Sequence, residues 1–255
     1  MKDIPHGSLD MILCDLPYGT TACKWDTIIP FDKLWEQYER IIKQNGAIVL
    51  TASQPFTSAL VMSNLKLFKY EWIWEKNMAS NFAAAKYVPL KQHENILVFY
   101  KKSPTYNPIR VQRTEKSKAR LKYKVEKKEM VLKEDNVYGT FGFIKNQKIG
   151  VLDVDKEMRN PKTVIYFERD ANNQYCKKSF HPTQKPVALF EYLIKTYTNE
   201  NDLVLDNTAG SGTTAIACLN TNRQFIVIEK EQKYYDIILK RVEDYKNTHK
   251  QKYLF

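Results

Sequence analysis

The segment Leu203-Val-Leu-Asp-Asn-Thr-Ala-Gly-Ser-Gly-Thr-Thr-Ala215 constrains the fold more than any other stretch of this 255-residue chain. Its apolar run lacks polar alternation and reads as a parallel strand buried on both faces. Gly210 and Gly212 then let the backbone leave the strand sharply and come close to a ligand, and a helix opens at Thr213. A strand that runs through such a turn into a helix belongs to an α/β layer arrangement. The alternation recurs along the chain. Asp10–Cys14 and Ala47–Thr51 read as buried strands. Between them, residues 31–43 place Phe31, Leu34, Trp35, Tyr38, Ile41 and Ile42 at helical spacing, with Gly46 as a stop signal. The same reading predicts a helix over 53–65, strands over 69–74 and 94–100, a helix over 187–197, a strand over 225–229 and a final helix over 231–246. The expected result is a mostly parallel sheet covered by helices.

The glycine turn fits Gly-x-Gly-x-x-Ala, and Glu229 ends the next strand, where it can accept hydrogen bonds from the two hydroxyls of a ribose. That combination points to an adenosine-containing cofactor, with a simple tight turn as the alternative. Asp206, just before the turn, would repel a pyrophosphate but attract the ammonium of a methionine. S-adenosylmethionine is therefore favoured over a nicotinamide cofactor, and an oxidoreductase is left to explain Asp206.

A second turn, Asp15-Leu-Pro-Tyr18 followed by Gly19, closes the first strand. Methylating an exocyclic base amine is difficult because its lone pair is delocalised into the ring. The reaction needs two acceptors for the amine hydrogens, an aromatic face on the extruded base and a methyl in line. The Asp15 carboxylate and the Leu16 carbonyl supply acceptors, Pro17 fixes the turn and Tyr18 offers the ring. A purely structural turn fits those four residues as well.

The chain's net charge is +11, and it is unevenly placed. Residues 101–178 hold 20 Lys+Arg against 10 Asp+Glu; residues 1–100 hold 10 against 10, and residues 179–255 hold 10 against 9. This predicts three parts: a catalytic half over 1–100, a basic recognition region over 101–178 and a cofactor half over 179–255. In the basic region cations interleave with Tyr106, Tyr123, Tyr138, Phe141, Phe143, Tyr166, Phe167 and Tyr175, as a segment that grips phosphates and presses rings on bases would. Lys101, Lys102, Arg110, Arg113, Lys116, Lys118, Arg120, Lys122 and Lys124 are its candidate DNA contacts. No apolar run reaches the ~18 residues of a membrane span, and Met1–Gly7 has no apolar core of a secretory signal, so a cytoplasmic protein is expected. Four dispersed cysteines and the isolated His93-Glu94 pair predict no metal site. Cys14 lies inside an apolar strand and is expected to be structural, not a nucleophile.

Taken in order, Asp15-Leu-Pro-Tyr-Gly19, the basic region, His181-Pro-Thr-Gln-Lys-Pro186 and Asp206-Asn-Thr-Ala-Gly-Ser-Gly212 resemble the amino-group DNA methyltransferases of the β order, similar to bacterial and phage adenine-N6 and cytosine-N4 enzymes. The resemblance covers nearly the whole chain outside the central region. It implies an α/β fold, a permuted Rossmann-like S-adenosylmethionine-dependent methyltransferase sheet of seven strands with an inserted basic target-recognition region. On it, Asp15, Leu16, Pro17 and Tyr18 form the catalytic turn. Asp206, Asn207, Thr208, Gly210, Gly212 and Thr213 form the cofactor loop, Glu229 is the ribose acid, and Thr183 and Lys185 pass over the methionine end of the cofactor. Double-stranded DNA is the implied substrate, attacked at N6 of a flipped adenine, with N4 of cytosine as the alternative; a homodimer and a cognate restriction enzyme are further implied partners. Two departures stand out. The Gly-Asp-Cys-Leu-like opening that the family commonly places before the stretch matching Met1–Pro5 does not occur in this sequence; either the true start lies upstream or one sheet edge is lacking and the cofactor is held more weakly, with a catalytically silent DNA-binding relic as an alternative, and Leu16 replaces the usual first Pro of the turn.

Overall fold

A computed structural model of the chain describes residues 1–21, 23, 26–126, 157–169 and 184–250. In chain order its elements are β1 (Leu9–Asp15), α1 (Phe31–Ile41), β2 (Ile42–Ala52), α2 (Phe56–Ser63), β3 (Phe68–Ser80), β4 (Lys91–Phe99), β5 (Val111–Gln112), α3 (Glu115–Glu126), β6 (Met158–Arg159), β7 (Val164–Phe167), α4 (Val187–Tyr197), β8 (Leu203–Asp206), α5 (Thr213–Asn220), β9 (Gln224–Val227) and α6 (Gln232–Lys250).

Seven strands form one sheet in the order β7-β3-β4-β2-β1-β8-β9. β1 pairs in parallel with β2 and β8, and β8 with β9. β4 runs antiparallel to both neighbours. The apolar side chains alternate as pleated strands require. Ile12, Cys14, Ile48, Leu50, Leu97 and Phe99 pack under α1 and α2 with Leu34, Trp35, Tyr38 and Leu60. Met11, Leu13, Val49, Ile96 and Val98 face the other way, against Leu189, Phe190, Leu193 and Ile194 of α4 and Ala217 and Cys218 of α5. From β1 the chain winds to β2, and from β8 it winds the opposite way to β9. The β1/β8 seam is therefore the switch point beyond whose carboxyl ends an open α/β sheet opens a crevice.

Three sequence readings are redrawn. The helix from Phe31 ends at Ile41, and β2 starts at once with Ile42. Gly46, read as a stop signal, lies inside that strand, where a Cβ would come within 2.9 Å of the Asp10 carbonyl oxygen. Val164–Phe167, read as part of the basic region, forms the seventh strand, parallel to β3 with Ile73 opposite Val164. Its apolar Ile165 is buried beside Trp72 and Trp74, and the Trp74 indole donates to the Phe167 carbonyl at 2.9 Å. The chain divides into a unit of Met1–Asn107 with Lys162–Phe255 and a unit of Pro108–Pro161, narrower than the 101–178 segment that charge alone outlines. In the smaller unit, β5 and β6 pair antiparallel and Lys118 of α3 bridges Glu115 at 3.1 Å and Glu157 at 2.6 Å.

Candidate active site

Both chemical turns lie at the carboxyl ends of adjacent parallel strands. Ile12 pairs with Leu205, so Asp15 and Asp206 leave the sheet side by side. Between and above them opens a cavity of about 730 Å³, lined by Asp15, Leu16, Pro17 and Tyr18, by Asp206 to Ser211 and Thr213, and by Glu229. That volume lies within the ~300–1,000 Å³ usual for ligand clefts.

The Asp15 carboxylate is held from three sides. Tyr18 donates its hydroxyl to Oδ1 at 2.7 Å, Thr51 of β2 donates to the same oxygen, and Lys185 Nζ lies 2.7 Å from Oδ2. Lys185 also reaches Glu94 Oε2 at 3.3 Å, and Glu94 Oε1 is paired with Lys76. Asp15, Lys185, Glu94 and Lys76 thus form a chain of alternating charge across the floor of the cleft, with side-chain exposures of 21, 6, 13 and 11%. Burial works to discharge Lys185, but Asp15 and Glu94 overcome it and hold its ammonium above the usual lysine range. Burial likewise opposes ionisation of Glu94, and Lys185 and Lys76 prevail, holding it below the usual carboxylate range. Burial raises the Tyr18 phenol, helped by Asp15 and Glu94, so it remains a proton donor.

The Leu16 side chain is buried in the core while the residue still lines the cleft. Tyr18 stacks on Phe56 with centroids 5.2 Å apart, and the Lys185 ammonium lies 5.5 Å from its ring. Beyond it, Gly19 turns with φ +67°, and Asp26 accepts the backbone N–H groups of Gly19, Thr20 and Thr21 at 2.8, 2.9 and 2.7 Å. Asp26 was missed by the sequence reading; a lone acid in a loop carries no periodic signal.

The cofactor turn is built mostly from backbone. Asp206 Oδ1 accepts from Thr208 N–H at 3.0 Å and Oδ2 from the Thr214 hydroxyl. Burial lifts Asp206 to about 6, against the lowering effect of Thr214 and Thr208. Glu229 takes the Gly210 N–H at 2.7 Å on one oxygen and the Glu231 N–H at 2.9 Å on the other. Thr213 lies against the Lys185 carbonyl at 3.3 Å. Two of the residues expected at the cofactor also have packing roles. Asn207 turns its side-chain oxygen inward to the Tyr38 hydroxyl at 2.5 Å and Cys14 Sγ at 3.1 Å. Gly212, at φ +81°, is absent from the cavity lining, and a Cβ there would come within 2.9 Å of Ile238 on α6, so it serves helix packing. Lys185, expected over the methionine end, lines the cleft with its ammonium on Asp15; Thr183 lies outside the described residues. Cys14 is fully buried, its thiol raised by burial and Asp206, as expected of a structural cysteine.

The candidate DNA cations divide. Lys101 donates to the Glu39 carbonyl at 2.6 Å and Lys102 N–H to Gln44, at the end of the sheet opposite Asp15, since β4 enters at the cleft and leaves at the far side. Arg110, Lys116 and Arg120 are exposed on the smaller unit, where Arg113 and Lys118 also lie; the side chains of Lys122 and Lys124 are outside the described residues. Among the described residues no cluster of His, Cys, Asp and Glu could hold a metal, and no helix is long and apolar enough to cross a membrane.

The DNA methylase family N6_N4_Mtase matches residues 9–240. The chain belongs to this family. Among relatives of this DNA methylase, the chain is 27% identical over 259 residues to the type II methyltransferase M.HpaI of Haemophilus parainfluenzae, covering 95% of the chain and 71% of that protein. It is 27% identical over 266 residues to M.BglII of Bacillus subtilis, covering 93% of the chain and 64% of that protein. Solved structures share the methylase fold. M1.HpyAVI, in complex with S-adenosylmethionine, superposes with a TM-score of 0.59 at 24% identity, over 92% of this chain and 88% of that one. The cytosine-N4-specific PvuII DNA methyltransferase gives 0.57 at 14% identity, over 95% and 88%. The α/β sheet expected of an amino-group DNA methyltransferase is thus the fold observed.

The methylase site also fits the expected methyl donor. Each Glu229 oxygen accepts one backbone N–H and keeps a lone pair for a ribose hydroxyl. Among the described residues the buried Thr208 hydroxyl has no hydrogen-bond partner, and Asp206 is a buried carboxylate whose strongest neighbours include no cation.

Proposed function

We propose that the chain is a site-specific DNA methyltransferase that transfers a methyl group from S-adenosylmethionine to the exocyclic N6 of an adenine flipped out of double-stranded DNA. The observation that carries this reading is the juxtaposition of the Asp15 and Asp206 turns at neighbouring strand ends around one cleft. Glu229, Thr208 and Asp206 would hold the ribose, the turn and the methionine ammonium. S-adenosylmethionine, bound there, supplies an electrophilic methyl carbon.

The remaining work falls to the chain. Asp15 and the Leu16 carbonyl accept the two amine hydrogens and draw the nitrogen lone pair out of conjugation with the ring. Thr51, Tyr18 and Lys185 fix the Asp15 carboxylate at that point. The lone pair would form the new N–C bond by direct attack as the sulfonium–methyl bond breaks and the neutral thioether leaves, and the methylated nitrogen would then lose its extra proton to solvent, with no covalent enzyme–base intermediate and no metal. The apolar Tyr18–Phe56 stack forms the wall beside the base. The exposed cations of the smaller unit, Arg110, Lys116 and Arg120, supply phosphate attraction that weakens steeply with salt.

Incubation with methyl-labelled S-adenosylmethionine and unmethylated DNA tests the reading, with mass spectrometry of the digested nucleosides. N6-methyladenine is expected. N4-methylcytosine would keep the reaction class and change the base, whereas label at C5 of cytosine, label on RNA alone, or full activity in Asp15→Ala would overturn the proposal. Neutralising Lys116 and Arg120 together should lower DNA affinity and flatten its salt dependence while leaving cofactor affinity unchanged.

A further inference from the structure

The connection between β3 and β4, residues 81–90, reads Asn-Phe-Ala-Ala-Ala-Lys-Tyr-Val-Pro-Leu. Its stem is paired, Ser80 opposite Lys91, and both stem residues line the catalytic cleft. Ser80 Oγ donates to the Lys91 carbonyl at 3.1 Å, and Lys91 Nζ reaches Ser53. The tip is a folded turn. Asn81 adopts φ +70°, Phe82–Ala84 form a short 3-10 turn, and Tyr87 N–H and Val88 N–H both bond the Ala84 carbonyl, at 2.9 and 3.0 Å. This ordered tip presents apolar groups to solvent: Phe82 is 62% exposed, Tyr87 86%, Val88 45% and Leu90 40%. From Lys76 to Gln92 the chain carries Lys76, Lys86 and Lys91 and no acid.

Large apolar side chains held outward on a rigid turn match a surface that they enter. The arm rises from the rim of the cleft, so whatever lies over the cleft meets the tip. Its charge is exclusively positive, which suits a polyanion; two copies of the arm in contact would set lysine against lysine. Resting on the DNA methyltransferase reading above, we propose that this tip is the wedge that opens the duplex. Phe82 and Tyr87 enter the base stack beside the target and occupy the gap left by its extrusion, while Lys86 binds a flanking phosphate. Apolar side chains inserted between base steps unstack them in this way, and extruding a base costs least where it lacks a pairing partner.

The double variant Phe82→Ala/Tyr87→Ala tests the wedge after the modified site has been mapped on plasmid DNA. Two duplexes carry that site, one fully paired and one with an abasic position opposite the target. On the paired duplex kcat/KM should fall at least 10-fold, and the fluorescence rise of 2-aminopurine at the target position should be lost. On the abasic duplex the variant should recover to within about 3-fold of wild type, with S-adenosylmethionine affinity and thermal midpoint unchanged throughout. Undiminished activity on the paired duplex would overturn the inference. Equal loss on both duplexes would also overturn it, as would a wild-type dimer that the substitutions split in sedimentation while extrusion persists. Those results leave the methyltransferase reading intact; a wild-type protein that methylates no DNA would instead remove the reading on which the wedge rests.

Discussion

Two carboxylates stand at the ends of adjacent strands and are treated differently. Asp15 is held by side chains drawn from distant parts of the chain: Thr51 on β2, Tyr18 in its own turn, and Lys185, 170 residues away and itself fixed by Glu94. Asp206 is held by its own locality, the Thr208 N–H and the hydroxyl of Thr214. One acid already has a cation. The other is buried at 3% exposure without one among its strongest neighbours, and its pKa is raised to about 6. On the proposed reaction the difference would separate two tasks. A group that orients a reacting amine must be rigid before the substrate arrives, whereas a group that binds a cationic cofactor gains affinity by lacking a partner until then.

The largest break in this comparison should come from Lys185→Ala, which leaves Asp15 and Glu94 without the cation between them. Removing one member of a buried ion pair costs roughly 3–5 kcal/mol, or a fall in thermal midpoint of roughly 6–20 °C for a chain of this size. Scanning calorimetry of Lys185→Ala, and of Lys185→Met combined with Glu94→Gln, should show the double variant less destabilised than the single one. Asp15→Ala comes next. Loss of the acceptor should lower kcat by about 10²–10³-fold with cofactor affinity unchanged, measured by single-turnover methylation beside cofactor titration. An equal loss of both would merge the two turns into one site.

The Asp206 carboxylate should make cofactor binding depend on pH. Its raised pKa means that in the protein without ligand its stabilising contribution is complete below the ordinary carboxylate range and is lost as pH rises through about 6. A bound ammonium favours the ionised form, so affinity should be constant above pH 6 and weaken below it, by at most about 10-fold per pH unit. Calorimetric titration between pH 5 and 8 checks this, and Asp206→Asn should be weak and flat across the range. Gly212→Ala should act on packing alone, which sharpens the picture of a glycine turn built from backbone. With φ +81° and Ile238 2.9 Å from a new Cβ, it should cost about 1–3 kcal/mol in urea unfolding. Shortening Ile238 to Val should recover part of that loss.

The legibility of the chain follows the range of the forces involved. β1, β8, α4 and α5 were readable because apolar runs, helical spacing and glycine turns are local signals; β8 and α4 closed where their residues said they would, and β1 ran one residue further at each end. Boundaries failed where tertiary pairing overrode local cues. Ile42 to Gly46 joined β2, with Ile42 opposite Leu9, instead of extending a helix, and Val164–Phe167 left a basic segment to pair with β3. Of the cleft lining, Asp15 to Tyr18, Asp206 to Thr208, Gly210 and Glu229 lay inside motifs the sequence displays, while the contacts of Glu94, Lys76, Thr51 and Asp26 did not.

The sequence by itself determined the two turns, their order and the concentration of charge in one region, because these depend on neighbours a few residues apart. Only the tertiary structure decided that Lys185 serves Asp15, that Asn207 points into the core and that Gly212 makes room for α6. The reason is that buried charges and close-packed atoms are partnered by proximity in space, and only the folded sheet sets that proximity across separations such as the 170 residues between Asp15 and Lys185.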